Sequence, residues 1–313
     1  MTLDSIMRRI FLSITTILLC LVCGACASRP AAQPKAAVTV TPEGCTIRRF
    51  AVPSAAMGRS IDALVVLPPA YEKDPAAHFP ILYALHGRGA AFDCWSDMKP
   101  LCAALIKKPM IVAMFDADNA SWYIDAPLPQ TKYLRPGGDN GPVSPPTRSL
   151  FTTFFFDEFI PYLDNEFRVE QKQRMLTGFS MGGYGAFHYL LTRPEAFVSV
   201  SSLSGALRSM AQPNKALPPL LGEHPQENVR YRAVDLQLRF IDAVLRKVPL
   251  PPIFIHCGTE DSGLLESNRD FARFLTALNI PVRYLESAGE HAWPFWRDAS
   301  TGVIEFHWHT LHP

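Results

Sequence analysis

The stretch GFSMGGYGAF, Gly178 to Phe187, sets one serine between Gly178 and Gly182 and follows it with Gly183 and Gly185. Before it runs RMLTGFS, an apolar run of strand character; after it, Gly182 to Leu191 has helical character. A G-x-S-x-G pattern between a strand and a helix is a nucleophile elbow, a turn so sharp that the serine is held in a strained backbone conformation. The incoming strand and outgoing helix nearly touch there, so the flanking residues must be small. The helix start also brings unpaired N–H groups and a positive dipole end beside the hydroxyl. A glycine-rich turn carrying an incidental serine is the plainer alternative. The strand and helix on either side favour the functional reading.

The rest of the chain fits that turn into a layered domain. IDALVVLPP (Ile61 to Pro69), ILYALHG (Ile81 to Gly87), MIVAMFD (Met110 to Asp116), RMLTGFS (Arg174 to Ser180), VSVSSLSG (Val198 to Gly205), PIFIHCG (Pro252 to Gly258) and VRYLES (Val282 to Ser287) read as strands. Their near-continuous apolar character suits a mostly parallel sheet covered on both faces. Helices are expected between them. Phe151, Phe155, Phe159 and Leu163 recur at four-residue spacing, with Pro161 expected to bend or interrupt that helix. Val229 to Lys247 and Glu266 to Leu278 are two further helices. Strands alternating with helices imply an α/β fold, here one domain over 46–313. Pro127 to Thr147, rich in Pro and Gly, reads as an irregular loop. The net charge of +1, without long runs of like charge, points away from nucleic acid and acidic polymers.

The N-terminus reads as a targeting segment. Arg8 and Arg9 precede an uncharged apolar stretch, Ile10 to Val22, and small residues follow. That is the order of a secretory signal over residues 1–27, and the stretch is short for a membrane span. Cleavage after Ala27 is one reading; Gly24-Ala25-Cys26 as a lipobox, with Cys26 lipidated and membrane-attached, is the other. An uncleaved anchor is the plain alternative. Residues 28–45 read as a flexible tether, and the protein is expected outside the cytoplasm, either periplasmic, secreted or lipid-anchored. In an oxidising compartment Cys45, Cys94, Cys102 and Cys257 could form two disulfides, with Cys94 and Cys102 near enough in sequence to pair; equally, they could be buried free thiols. No His/Cys spacing suggests a metal, and no cofactor is expected.

A serine hydroxyl needs a general base, and the base needs an orienting acid. The loop after PIFIHCG offers Glu260 and Asp261, with Asp261 preferred and Glu260 in reserve. The loop after VRYLES offers His291. Both loops lie beyond strand C-terminal ends, where an open α/β sheet places its chemistry. Other histidines are less well placed: His188 is in a helix, His256 in a strand, and His307, His309 and His312 crowd the C-terminus. Charge developing on the attacked carbonyl calls for preorganised donors. Met181 N–H is one; the second falls in H-G-R-G after ILYALHG, on Arg88 with Gly89 in reserve. His86 reads either as support for that loop or as a satisfied histidine at a strand end.

Taken together, LHGRGAAFDCW, SWYIDAP, GFSMGGYGAFHYLLTRPEAF, SLSGAL, CGTEDSGLLESNRDF and GEHAWPFW resemble the esterase D group of α/β-hydrolases, over about Ile61 to Trp296. That group includes tributyrin-type, feruloyl and acetylxylan esterases, S-formylglutathione hydrolases and secreted mycolyltransferases. The resemblance implies an α/β-hydrolase fold with Ser180 as nucleophile, Asp261 as acid, His291 as base and Arg88 in the oxyanion loop. Trp122 and Tyr123 match a segment bordering the acyl pocket. With Trp293 they would suit an acyl or phenolic group, although aromatic residues there are commonly core. The expected function is an exported serine carboxylesterase acting on small-molecule or carbohydrate-linked esters. Acyl transfer to a sugar or lipid alcohol is the alternative, and a catalytically silent surface binding protein a third. Export argues against formylglutathione, a cytosolic thioester. Oligomeric state is not legible.

Overall fold

A computed structural model describes residues 37–97, 99–126, 130–132, 142–208, 218–222 and 229–313. The expected signal at 1–27 and the first half of the expected tether, 28–36, lie outside these residues; the second half is not a flexible tether, because Ala37–Val40 pairs as an edge strand and residues 41–45 form a hydrogen-bonded turn. A nine-stranded sheet runs β1 (Ala37–Val40), β2 (Thr46–Ser54), β3 (Arg59–Leu67), β5 (Ile111–Phe115), β4 (Phe79–Leu85), β8 (Val169–Gly178), β9 (Ser199–Leu203), β10 (Ile253–Gly258) and β11 (Val282–Ser287) in spatial order. The first strands pair antiparallel as far as β5. From β5 onward every neighbour is parallel.

Period-two alternation splits each central strand between two cores. Ile81, Tyr83 and Leu85 of β4 enter one, with the helix Met181–Thr192; Leu82 and Ala84 enter the other, with the helices Lys99–Lys107 and Trp293–Leu311. Helices therefore cover both faces, as near-continuous apolar strands require. After β4 the chain moves to β5 on one side, and β8 then settles on the other. The sheet thus has its switch point between β4 and β8, and a crevice opens beyond their C-terminal ends.

All seven strands expected from the apolar runs are present. Three local expectations are corrected or refined. The phenylalanine helix changes form just before Pro161: it widens into a π-helical segment, Phe154–Phe159, before continuing as Ile160–Glu166. Pro161 has no N–H to offer the carbonyl one turn back, and a widened turn absorbs the mismatch. Phe155 from that segment stacks on Tyr189 of the Met181–Thr192 helix, with ring centroids 4.2 Å apart. The single helix expected over Val229 to Lys247 is two, Val229–Val234 and Leu236–Leu245. Asp235 divides them because its carboxylate accepts the Leu238 N–H at 3.1 Å and caps the second. The loop Pro127 to Thr147 contains a small antiparallel pair, β6 (Gln130–Lys132) with β7 (Pro142–Thr147). The remainder of that loop lies outside the described residues.

The small residues of the elbow are imposed by contact. A Cβ on Gly178 would lie 2.3 Å from the Gly182 backbone, and one on Gly182 would lie 2.3 Å from the Leu85 carbonyl oxygen. Backbone cannot retreat as a side-chain tip can. Gly182→Ala is expected to lower stability by about 3 kcal/mol or more, measured by urea denaturation.

Several histidines are buried neutral. His307 on the C-terminal helix is fully enclosed, its ring nitrogens 2.7 Å from Ser199 Oγ and 2.9 Å from Ser201 Oγ. Burial pushes its pKa down to about 3, and pushes that of His256 down to about 4. Burial also drives His188 well below the ordinary imidazole range. The unfolded chain therefore binds protons below about pH 6.5 that the folded chain refuses. Stability is full above that pH and is lost as pH falls toward the folded values. Between pH 7 and pH 4.5, His307 alone accounts for a loss on the order of 3 kcal/mol. Urea midpoints across that range check this, and a flat profile would contradict it.

Candidate active site

Five adjacent strand ends, those of β4, β8, β9, β10 and β11, build the site. Leu85 of β4 and Gly178 of β8 are register partners, so the segment after β4 and the elbow after β8 emerge side by side at the switch point. Ser180 stands at φ 55° and ψ −118°, a left-handed conformation unusual for a residue with a Cβ. Its backbone is pinned from two sides: its N–H donates to the Leu203 carbonyl at 3.0 Å, and its carbonyl accepts the Ala206 N–H at 2.9 Å. The strain is therefore held by the surrounding sheet.

Gly258 of β10 and Ser287 of β11 are register partners as well, which sends the Asp261 and His291 loops out from neighbouring strands at one level. The two loops touch closely: a Cβ on Gly258 would lie 2.2 Å from the Gly289 carbonyl oxygen. Glu260, the reserve acid, serves as a clamp between them. Its backbone N–H donates to the Gly289 carbonyl at 3.0 Å, and its exposed carboxylate accepts the Gly289 N–H.

The three expected residues come together. Asp261 is buried, and its Oδ2 accepts a hydrogen bond from His291 Nδ1 at 2.7 Å. His291 Nε2 lies 3.0 Å from Ser180 Oγ, the direction in which a serine proton would pass. Burial pushes the Asp261 carboxyl up, but hydrogen bonds from His291, Ser204 and the Leu264 N–H, with the histidine's charge, outweigh it. The net shift is downward. The carboxylate is thus an acceptor at neutral pH, which places the imidazole proton on Nδ1 and the lone pair on Nε2. Trp296 meets the His291 ring edge to face at 4.9 Å and stacks on Phe179 at 4.4 Å, so the imidazole rests on aromatic surface.

The oxyanion candidates sit beside the hydroxyl. A Cβ on Gly87 would lie 3.2 Å from Ser180 Cβ, so the H-G-R-G segment lies against the serine and Arg88 follows at once. The Met181 and Arg88 N–H groups have no acceptor among the described residues, whereas Gly89 N–H already donates to the Asn119 carbonyl at 3.0 Å. His86 braces this segment. Its Nε2 accepts the Ala117 N–H at 3.0 Å, leaving Nδ1–H to donate to the Gly87 carbonyl at 2.9 Å. Burial holds its pKa below the ordinary value.

Of the aromatic candidates, Tyr123 is fully buried and its hydroxyl donates to the His86 carbonyl at 2.9 Å. It supports the oxyanion segment from beneath rather than facing a substrate. Trp122 is buried edge to face against Tyr184 at 5.4 Å, and Trp293 is half-buried against Phe179 at 5.8 Å. Ser204 was not singled out from sequence. It follows β9 at left-handed φ 42° and bonds the Asp261 carboxyl. Its only signal was its place at a strand end facing the acid loop. No cluster able to hold a metal occurs among the described residues.

Comparisons with known proteins place the chain in a family. The model of the family described as "Putative esterase" matches residues 54–302. An acetyl esterase of Caldicellulosiruptor saccharolyticus is 28% identical over 255 residues, covering 75% of this chain and 86% of that protein. A diacylglycerol acyltransferase/mycolyltransferase of Mycobacterium gordonae is 26% identical over 283 residues, covering 81% and 77%. An S-formylglutathione hydrolase structure from Agrobacterium tumefaciens superposes with TM-score 0.71 at 18% identity, covering 90% of this chain and 99% of that one. At that identity the superposition speaks to the fold, which is that of the α/β-hydrolases.

Proposed function

This chain belongs to the esterase family whose model spans residues 54–302, and from that premise we propose that it is an exported serine carboxylesterase working through an acyl-enzyme on Ser180. The observation that carries the reading is the continuous path from Ser180 Oγ to His291 Nε2 at 3.0 Å and from Nδ1 to Asp261 at 2.7 Å. In this mechanism His291 takes the serine proton as the oxygen attacks the acyl carbon, and the Met181 and Arg88 N–H groups receive the oxyanion. The imidazolium then protonates the leaving alcohol. Water, deprotonated by the same histidine, releases the acid. Asp261 holds the tautomer and balances the transient charge.

Hydrolysis of p-nitrophenyl acetate and butyrate by the purified protein tests this, with acetyl, butyryl and feruloyl esters to grade the acyl group. Activity that vanishes in Ser180→Ala supports the reading; activity undiminished in that variant overturns it. Acyl transfer is kept as a second reading because of the similarity to the mycobacterial acyltransferase. Product analysis with and without an added sugar or lipid alcohol separates the two. Export is supported by the order of the basic, apolar and small residues in 1–27. The mass of the mature N-terminus, beginning at Ser28 or at a lipidated Cys26, decides how the segment is processed.

A further inference from the structure

On the sheet face opposite the elbow helix, two thiols from separate parts of the chain meet in the core. Cys45 and Cys102 are both buried and belong to the same apolar cluster. Cys45 closes the tight turn between β1 and β2. Its N–H donates to Thr41 Oγ1 at 3.2 Å, its carbonyl accepts the Thr41 N–H at 2.9 Å, and Gly44 supplies the left-handed φ of 87° that the turn needs. Cys102 points inward from the helix Lys99–Lys107. The Cys45 thiol donates to the Cys102 carbonyl at 3.7 Å. None of the four described cysteines is in a disulfide in this structure, and the cysteine that the Cys45 thiol meets is Cys102, where sequence proximity paired Cys102 with Cys94.

We propose that Cys45 and Cys102 are a disulfide-forming pair that ties the β1–β2 turn to the helix Lys99–Lys107. The Cys45 Sγ already lies against the backbone of the helix residue it would bond. The thiolate of one cysteine attacks a small-molecule disulfide, forming a mixed disulfide and expelling one thiolate, which takes up a proton. The other cysteine, losing its proton, then attacks the protein sulfur of that mixed disulfide and expels the second thiol. The two protein thiols are oxidised by two electrons, and the small disulfide is reduced to two thiols. Because both sulfurs are buried in the folded chain, the exchange belongs to folding, before the helix docks. The bond would join residues 57 apart in sequence, a separation large enough to restrict the unfolded chain substantially. An exported chain meets the required oxidant in its compartment.

The test takes the full chain, reduced and denatured, and refolds it in oxidised and reduced glutathione, with alkylation, intact mass and peptide mapping. The expected product is lighter by two hydrogens, yields one peptide pair joining Cys45 to Cys102, and leaves Cys94 and Cys257 open to alkylation after unfolding. Reduction is expected to lower the thermal midpoint by roughly 5 to 10 °C. Cys45→Ala/Cys102→Ala is expected to keep ester hydrolysis and lose that sensitivity to reductant. Alkylation of both Cys45 and Cys102 after oxidative refolding, or a bond from Cys102 to Cys94, would overturn the proposal. The wild-type mass decides the matter even if the double variant fails to fold, and it does so independently of any esterase activity.

Discussion

Ser180→Ala is expected to lower kcat for p-nitrophenyl butyrate by about 10⁶-fold while leaving the thermal midpoint and substrate KM close to wild type. The size follows from what is removed. The hydroxyl lies 3.0 Å from its base and supplies the atom that carries the acyl group, so no other side chain can substitute for it. The fold should tolerate the change, because the elbow is held by backbone bonds from Ser180 to Leu203 and Ala206 that alanine keeps. Residual rate should come from the Met181 and Arg88 donors alone. Relief of strain is not expected, since alanine also carries a Cβ in the same left-handed backbone. Steady-state kinetics beside a melting curve separates this outcome from simple unfolding.

Asp261→Asn is expected to cost about 10³- to 10⁴-fold in kcat. Besides the Ser204 hydroxyl, the carboxylate accepts from His291 Nδ1 at 2.7 Å through one oxygen and from the Leu264 N–H at 3.0 Å through the other. An amide can accept from one of them with its oxygen and must present N–H to the other. If it keeps Leu264, its NH₂ faces Nδ1, which must then accept. The imidazole proton moves to Nε2, and the lone pair turns away from Ser180. The triad acts as one unit, so Ser180→Ala/Asp261→Asn should be no slower than Ser180→Ala. Multiplying losses in the double variant would mean that the two side chains act separately. By contrast Glu260→Gln should change kcat far less, because the Glu260 backbone bond to the Gly289 carbonyl survives it.

The elbow was legible in the sequence because its demand is steric. Only glycine fits where Gly178 and Gly182 face backbone at 2.3 Å, and no ordinary packing motive crowds glycine there. The acid and the histidine were legible from their place after apolar strands, since parallel strands in register deliver their following loops to one edge. What eluded sequence reading was the bracing. Tyr123 looked like a pocket residue because its segment borders the site, yet its ring is enclosed and its hydroxyl serves the His86 carbonyl. Glu260 looks like a second acid because a carboxylate carries no mark of its partners; they are the Thr259 hydroxyl and the Gly289 N–H of the adjacent loop. The C-terminal helix Trp293–Leu311 was missed although Phe295, Ala299, Val303 and His307 form one buried stripe at four-residue spacing. Its aromatic, β-branched and histidine content masked that period. The break at Asp235 is a capping effect, visible only once the aspartate is known to turn back on Leu238.

The central claim is that the hydroxyl of Ser180 carries the acyl group during turnover. The most direct measurement is acid quench of the protein with p-nitrophenyl butyrate in the pre-steady state, or labelling with a fluorophosphonate, followed by peptide mass mapping. The account predicts one adduct, on the peptide containing Ser180, that is absent from Ser180→Ala and much reduced in His291→Ala. An adduct on a different residue, or labelling that survives Ser180→Ala, would contradict it.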